Sequence, residues 1–429
     1  MKKLARFSLL FLIILVSCSF LPDGSQTAII WTDRPEFAFY AEYFNAAQDQ
    51  YKVEIYFHNF PAQELKDSGA GINLLNFIAN NEETPQPDII AGSWLKSDAT
   101  RLVFKPLDRQ FKRNVIRNSD FYPRLLTMGN IDGKQFLLPV SFNAPMVIFA
   151  RGTGEHLSNL FTIGFDEMKT LGKGYNAMTR GAYTQMGFSP SWDANFLFIT
   201  ATLFNASFRA SEPLSWNTGA LDQAMQFAYD WACEANTSIQ SVDDFIYKYF
   251  YTPPAKLVLS ERILFTCMDS NNFFILAEEQ QNNLDFRWLA ENNTIPLVED
   301  TVYLGMIKRG KAPKAAEAFL AWFFSMDTQR GILERSRQNR LFEISFGIGG
   351  GFSAMRPVTE QVFPQFYQGL LGHMPPGEFL SPANTLPGNW MALKERVIFP
   401  YLLDRSRQPD REGLYPLERR LSDWQRVNR

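Results

Sequence analysis

Residues 27–57 read TAIIWTDRPEFAFYAEYFNAAQDQYKVEIYF, and this stretch establishes the fold class because it joins a strand, a helix and a second strand. Its first five residues form a short apolar run that suits a buried parallel strand. Pro35 then suits the first turn of a helix. The apolar side chains that recur at helical spacing after it are Phe37, Tyr40, Ala41 and Phe44. The last seven residues are apolar at every second position, as expected of a half-buried strand.

The alternation of strands and helices continues downstream. A helical stretch around residues 74–78 leads to a buried strand at residues 88–91. Strands that alternate with helices predict βαβ units and a parallel sheet. After residue 131 the pattern changes, because the Asp-Gly pair at 132–133 predicts a tight turn and a new strand begins near residue 146. We interpret this change as a crossing from one lobe into another.

The second lobe has its own helices and strands. Its predicted elements are a helix from Asp166, a strand at 184–188, a helix from Asp193, a helix at 220–234 and a strand at 263–267. An extended segment at 301–307 and a helix from Pro313 are predicted after these elements. The run GIGGG at 347–351 predicts a flexible loop. Amphipathic segments at 390–403 and 416–427 close the chain.

The first 18 residues have the pattern of an export signal. Three basic residues precede an apolar run of about ten residues at 7–16, about half of the roughly 20 that span a bilayer. The run ends in Leu-Val-Ser-Cys at 15–18, which resembles the lipobox of bacterial lipoproteins. That resemblance implies removal of residues 1–17, acylation of Cys18, a tether at 18–26 and attachment to the outer face of the bacterial cytoplasmic membrane. An ordinary export signal with an incidental Cys18 is the alternative.

The composition is that of a globular protein without a strong overall charge. Apolar residues make up 46% and charged residues 20%, and the mean hydropathy is −0.19. A formal net charge of −3 argues against nucleic acid as a partner. His58, His156 and His373 are far apart in sequence, so we predict no metal site and no catalytic histidine pair. The 39 Phe, 15 Tyr and 9 Trp can fill cores or line a site that needs flat apolar faces.

Two cysteines remain after the predicted cleavage site. Export permits a disulfide between Cys233 and Cys267, but the sequence does not give the distance between their Cβ atoms. We expect two free thiols and keep the disulfide as the alternative.

The sequence carries no motif that predicts catalysis. GFSPS at 187–191 lacks the second glycine of a nucleophile elbow. GIGGGF at 347–352 lacks the lysine and hydroxyl residue that end a P-loop. No strand end presents the paired carboxylates of a glycosidase. We therefore predict a protein that is not an enzyme and has no cofactor.

Several motifs in order along the chain resemble one class of proteins. They are TAIIW at 27–31, PDIIAGSW at 87–94, DGK at 132–134, LPVSFN at 138–143, KRGK at 308–311, AFLAWF at 318–323 and Gln329. Together they resemble the bacterial extracellular solute-binding proteins of the maltose-binding-protein class, which are the sugar receptors of ABC importers. The likeness extends over residues 27–403.

This resemblance implies a two-lobe α/β fold in which each lobe is a mainly parallel sheet flanked by helices and hinge strands join the lobes. Residues 27–141 and 304–345 are expected to form the first lobe, and residues 142–303 and 346–429 the second. A small molecule binds between such lobes and stabilises the closed form, because only that form contacts it on both sides. Membrane permease subunits then recognise the closed form.

A sugar presents two kinds of surface to a protein. Its ring faces carry C–H groups that suit aromatic rings, and its hydroxyls need charged or amide side chains. The candidates therefore lie in loops after strands or at positions that match ligand contacts of the family that the chain resembles. They are Asp33, Arg34, Trp94, Asn143, Trp192, Asp193, Asn271, Tyr303 and Trp390. Helix capping by Asp33 and Asp193, a turn at Asn143 and plain packing of Tyr303 are the alternatives.

We expect a monomeric, lipid-anchored substrate-binding protein of a carbohydrate ABC importer, with a sugar and the permease subunits as its partners. A receptor for a phosphodiester, a polyamine or a peptide is one alternative. The charge that lines the cleft would decide between these ligands and a sugar. A surface lipoprotein that reuses the fold for adhesion or signalling is the other.

Overall fold

Two β-sheets, one of six strands and one of four, form the scaffold of the protein. The structure is a computed structural model that describes residues 26–58, 85–96, 100–211, 213–408 and 413–427. The predicted export signal, Cys18 and the helix expected around residues 74–78 lie outside these ranges.

The strands are short and spread over the whole described chain. In chain order they are β1 (Thr27–Thr32), β2 (Lys52–Phe57), β3 (Ile89–Gly92), β4 (Asn130–Ile131), β5 (Lys134–Gln135), β6 (Leu138–Phe142), β7 (Pro145–Ala150), β8 (Thr162–Ile163), β9 (Ala177–Thr179), β10 (Ala182–Gln185), β11 (Thr266–Asp269), β12 (Leu284–Leu289), β13 (Ile295–Pro296), β14 (Val302–Met306), β15 (Phe352–Ser353) and β16 (Leu380–Ser381). β4 and β5 pair as the hairpin that the Asp-Gly turn predicts.

The six-stranded sheet has the order β15-β6-β14-β3-β1-β2. β1 runs parallel to β2 and β3, whereas β14 is antiparallel to both β3 and β6. The four-stranded sheet, β11-β7-β12-β8, is also mixed, because β7 is antiparallel to both of its neighbours whereas β12 and β8 are parallel. The expected α/β fold class is confirmed, but the expectation of mainly parallel sheets is wrong. β6 ends and β14 begins where the chain passes between the sheets, so the two strands must run in opposite directions.

The chain passes between the sheets at points that the strand bounds define. Only Asn143 and Ala144 separate β6 in the first sheet from β7 in the second. Residues 297–301 lead back from β13 to β14. The boundary expected at residue 304 falls inside β14, and β15 pairs with β6 although residues 346–429 were assigned to the second lobe. We therefore propose lobe boundaries at these two crossing segments, with β15 in the first lobe.

The helices agree in most places with the apolar spacing of the sequence. They are Glu36–Ala47, Thr100–Val103, Asp108–Lys112, Pro123–Thr127, Phe165–Tyr175, Ala194–Leu203, Thr218–Asn236, Ile239–Tyr247, Pro254–Leu259, Ser270–Phe274, Glu278–Asn283, Pro313–Phe323, Met326–Gln338, Phe363–Phe366, Trp390–Leu393, Phe399–Arg407 and Leu417–Val427. The first buries the four side chains that its spacing predicts. No helix within the described ranges is long and apolar enough to cross a bilayer.

The segment expected as one helix at 390–403 is divided by a π-helical turn. This turn, Lys394–Ile398, lies between the helices Trp390–Leu393 and Phe399–Arg407. Pro400 follows it and has no backbone N–H to donate four residues back, so the regular ladder of hydrogen bonds is interrupted here.

The glycine run at 347–351 is buried, so the prediction of a flexible loop is wrong. Gly347, Gly349 and Gly350 adopt φ angles of 62°, 57° and 78°, a region that favours glycine. The Gly349 N–H donates to the Tyr40 hydroxyl at 2.8 Å. A Cβ atom on Gly351 would lie 2.6 Å from the Phe142 carbonyl oxygen. The run therefore packs closely against β6.

Most aromatic side chains pack against one another in the cores, as expected for Phe37, Phe44, Phe319 and Phe323. The Phe44 and Phe319 rings, for example, meet edge to face with centroids 5.5 Å apart. Phe57, the last residue of the predicted half-buried strand, is 58% exposed. It ends β2, which is an edge strand of its sheet among the described residues.

Both cysteines in the described ranges, Cys233 and Cys267, are free thiols. Burial raises the pKa of the Cys267 thiol well above its usual value. The thiol therefore stays protonated and a poor nucleophile at neutral pH.

A close approach between Gly187 and Gly172 provides a test of the packing. A Cβ atom on Gly187 would lie 2.2 Å from Gly172 Cα, so Gly187→Ala must displace the helix Phe165–Tyr175. We expect a loss of about 1–3 kcal/mol in the free energy of unfolding, measured with urea. Gly174→Ala in the same helix is the matched control, because its Cβ meets nothing within 4 Å. A Gly187→Ala protein as stable as the wild type would contradict this packing.

Candidate functional site

A cavity of about 450 Å³ opens beside the segment that leads from β13 to β14. Its wall combines carboxylates and amides with apolar and hydroxyl side chains. The carboxylates are Asp193, Asp269, Glu291 and Glu299, the amides are Asn195, Asn205, Asn272, Asn292 and Asn384, and the remaining cationic or aromatic side chains are Lys394, Phe198 and Phe208. The cavity therefore offers many hydrogen-bond donors and acceptors beside two apolar rings.

Helix starts hold two of these carboxylates in place. Asp193 accepts a hydrogen bond from the Asn195 N–H at 2.8 Å, and Asp269 accepts one from the Asn272 N–H at 2.8 Å. Each is thus the N-cap of a helix. Burial nevertheless raises the pKa of both carboxyls above the usual value, although the cap hydrogen bonds and the charge of Lys394 oppose the shift.

Glu299 and Lys394 form an ion pair at the cavity wall, with 2.9 Å between Oε2 and Nζ. Their side chains are only 8% and 6% exposed. The Lys394 ammonium also lies 4.7 Å from the centre of the Phe198 ring. The other oxygen of Glu299, Oε1, is buried and has no hydrogen-bond partner in the described part of the chain.

Asn143 connects the two crossing segments. Its Nδ2 donates to Asp300 Oδ2 at 3.2 Å and to the Gly350 carbonyl at 2.8 Å, and its Oδ1 accepts from the Ser270 hydroxyl at 2.8 Å. Burial raises the pKa of Asp300 to about 6, while the charge of Arg34 and the hydrogen bond from Asn143 lower it. Asp300 thus faces groups from both lobes.

The first lobe contributes a second polar group. Asp33 Oδ1 lies 3.5 Å from Arg34 Nε. Burial raises the pKa of Asp33, and the Arg34 charge and a hydrogen bond from Trp94 lower it. Lys96 reaches the other lobe, because its Nζ donates to the Ala383 carbonyl at 3.0 Å, and Ala383 lines the cavity. Burial lowers the pKa of Lys96 to about 8.

Five of the candidates lie at the cavity or among the polar groups near Asp300: Asp33, Arg34, Trp94, Asn143 and Asp193. Asn271 lies at the same helix start as Asp269, but its Oδ1 accepts the Phe346 N–H at 3.3 Å. Whether these side chains contact a ligand stays a prediction.

Three aromatic candidates do not line the cavity. We correct the assignment of Tyr303 and Trp390, which are buried in the cores, whereas a ligand contact of the half-buried Trp192 stays a prediction. Trp192 stacks on Phe245 with centroids 5.8 Å apart, and Tyr303 is buried within the sheet at 4% exposure. Trp390 is also 4% exposed and packs between Phe198 and Phe208, at 5.6 and 5.8 Å. The apolar face of its helix points into the core of the second lobe.

Solved structures of sugar-binding proteins share the fold of this chain. A cyclo/maltodextrin-binding protein complexed with maltotetraose matches with a TM-score of 0.60 at 12% identity, over 95% of this chain and 97% of its own. An ABC substrate-binding protein from Listeria monocytogenes in complex with cycloalternan matches with 0.56 at 12%, over 95% and 98%. A cyclic α-maltosyl-1,6-maltose binding protein from Arthrobacter globiformis matches with 0.56 at 16%, over 94% and 98%.

The chain has the two-lobe fold of the ABC solute-binding proteins. Sequence identities of 12% and 16% establish this fold and not a ligand. No family model matches the sequence, and a search of curated proteins finds no significant match. The matches with solved structures confirm the resemblance carried by the motifs as a likeness of fold.

The sequence analysis missed Asp269, Glu299, Asp300 and Lys394. One feature of the sequence could have indicated Lys394, because it lies on the apolar face of an amphipathic segment, where a charged side chain requires a partner. Glu299 and Asp300 form an acidic pair directly after the apolar run IPLV, at the crossing segment of the solute-binding fold. Their position between the lobes depends on the sheet order, which the sequence does not give.

The raised pKa of Asp300 predicts a pH dependence of stability. Between pH 4 and 6 the unfolded chain ionises this carboxyl while the folded chain keeps it protonated, so its contribution to stability falls as the pH rises. Asp300→Asn removes the pH-dependent contribution of this carboxyl to the free energy of unfolding. We expect the variant to gain on the order of 2–3 kcal/mol over the wild type between pH 4 and 7, measured by urea unfolding. Parallel pH profiles for the two proteins would show that Asp300 is not buried as described.

Trp390 provides a test of the corrected assignment. Because its ring fills the core of the second lobe, Trp390→Ala should lower the free energy of unfolding by about 3–5 kcal/mol. Met391→Ala, at the neighbouring residue that is 54% exposed, should change it by about 0.5 kcal/mol or less. A stable Trp390→Ala protein with impaired ligand binding would restore the original assignment.

Proposed function

We propose that the protein is the substrate-binding receptor of an ABC importer and that it captures a sugar or oligosaccharide between its lobes. The observation that carries this proposal is the cavity beside the crossing segments, whose wall presents carboxylates and amides. Hydroxyl groups both donate and accept hydrogen bonds, so they match a wall that offers both functions. The solute-binding fold supports the same function, since the proteins that share it are named for binding sugars.

Closure of the lobes would place groups of the first lobe over the cavity. Arg34 attracts Asp300 electrostatically, and Lys96 already donates to Ala383 at the rim. Trp94 lies two residues before Lys96 and offers an indole face for a sugar ring. A ligand held by both lobes stabilises the closed form, which the permease would recognise.

The export signal fits this role. Acylation of Cys18 would anchor the receptor beside its permease, with residues 18–26 as the tether. We keep the lipid anchor and delivery to a permease as parts of the proposal.

The test is ligand-induced stabilisation of the purified protein. A panel of galactose, maltotriose, mannotriose and amino sugars is compared with spermidine, inorganic phosphate and a tripeptide. A sugar at 100 times its Kd should add about 2.7 kcal/mol to the free energy of unfolding and raise the Tm. Stabilisation by spermidine, phosphate or the peptide, and by no sugar, would refute the sugar receptor.

A pair of variants locates the binding face. Trp94→Ala should weaken sugar binding at least tenfold, because it removes the ring offered by the first lobe. Tyr251→Ala removes a ring that is 94% exposed on the second lobe and should leave binding unchanged. Isothermal titration gives both Kd values. Equal affinities in the two variants would exclude Trp94 from the site.

A further inference from the structure

The cavity carries an unbalanced negative charge. Four carboxylates line it, whereas Lys394 is its one cationic side chain among the described residues. Lys394 is already paired with Glu299 at 2.9 Å. Asp300, beside Glu299 in the crossing segment, adds a further carboxylate near the wall, which Arg34 of the first lobe offsets. A ligand with a positive charge would therefore be attracted, and a phosphorylated ligand would be repelled.

Helix capping does not explain why these carboxylates are charged residues. Asn and Ser cap helices about as well as Asp does. Away from the cavity, neutral residues fill this role, as Asn217 and Ser238 do for two helices of the same lobe. At the cavity the corresponding residues are Asp193 and Asp269. The charge thus coincides with the cavity and not with the requirement for a cap.

An unpartnered oxygen points to what the cavity receives. The Glu299 side chain is more than nine-tenths buried, and its Oε1 atom lacks a hydrogen-bond partner in the described ranges. A carboxylate oxygen can only accept, so the missing group is a donor. A buried acceptor without a donor costs about 1–3 kcal/mol or more, which a bound donor would recover.

The amides narrow the ligand class further. Five asparagines line the same cavity. The side-chain amides of Asn272 and Asn384 already donate to Asp269 and to the Phe208 carbonyl, but each amide has a second N–H that an acceptor oxygen of a ligand can receive. A polyamine has ammonium donors but no acceptors. A neutral sugar has acceptors but no charge to balance the carboxylates. An aminated saccharide supplies both.

We propose that the captured saccharide carries a protonated amino group, which Asp193, Asp269 and Glu299 receive while the asparagines bind its hydroxyls. This inference rests on the sugar-binding function proposed above. It names the substrate class as amino sugars or oligosaccharides that contain them.

The test compares ligands that differ only at one substituent. Glucosamine, N-acetylglucosamine and glucose form one set, galactosamine, N-acetylgalactosamine and galactose a second, and the β-1,4-linked disaccharides of glucosamine, N-acetylglucosamine and glucose a third. Titration at pH 6.5 gives each Kd. We expect the amine to bind at least tenfold more tightly than both counterparts in one or more sets.

The test distinguishes failure of the amino-sugar proposal from failure of the sugar-receptor proposal. If the neutral members bind as tightly as the amines, or if no amine binds while a neutral sugar does, the aminated class is overturned and the sugar receptor stands. If spermidine binds and no saccharide does, both proposals are overturned.

Two variants that retain a capping side chain distinguish the effect of the carboxylate charge on binding from an effect on the structure. Asp193→Asn and Asp269→Asn retain a capping side chain and remove one charge each, so the Tm without ligand should change little. We expect each variant to weaken binding of the preferred amine at least tenfold more than binding of its neutral counterpart. Asp132→Asn is the control, since Asp132 lies in an exposed turn and pairs with Arg101. Equal losses for amine and neutral sugar in the cap variants would overturn the proposal.

Discussion

The buried amide of Asn143 holds together segments that lie far apart in sequence. It donates to Asp300 and to the Gly350 carbonyl, and it accepts from Ser270. Each of these groups would lose a hydrogen bond if the segments separated, and a buried polar group without a partner is costly. The crossing segments, the glycine run and the start of a helix at the cavity therefore keep fixed relative positions.

The hydrogen bonds of Asn143 also restrain the wall of the cavity. Glu299 is next to Asp300, and Asp269 is next to Ser270, so two cavity carboxylates are attached directly to partners of Asn143. Helix starts restrain Asp193 and Asp269 further through cap hydrogen bonds. A ligand then meets acceptors that are already in place, and little conformational entropy is lost on binding. The same hydrogen bonds thus serve the stability of the lobe and the recognition of a ligand.

Local sequence patterns predicted the elements well and the partners of side chains poorly. The first helix has the buried face that its spacing indicates, because burial there depends on one period. Asp193, which lines the cavity, was a candidate because it follows a strand and starts a helix. The pair of Glu299 and Lys394 joins residues 95 positions apart, and no local pattern gives that distance. Trp390 was misassigned for the same reason, because an aromatic residue at a helix start has the same local sequence whether it faces a cleft or a core.

The surplus of aromatic residues in the composition is mainly a property of the cores. Of the two rings at the cavity wall, Phe198 already contacts Trp390 and the Lys394 ammonium, and Phe208 stacks on Phe198 with centroids 5.6 Å apart. Little ring surface is left for a sugar within the cavity itself, so Trp94 of the first lobe would have to supply it on closure. Selectivity inside the cavity then depends on carboxylates and amides, and such groups discriminate strongly because a ligand without matching donors leaves them buried and unpaired.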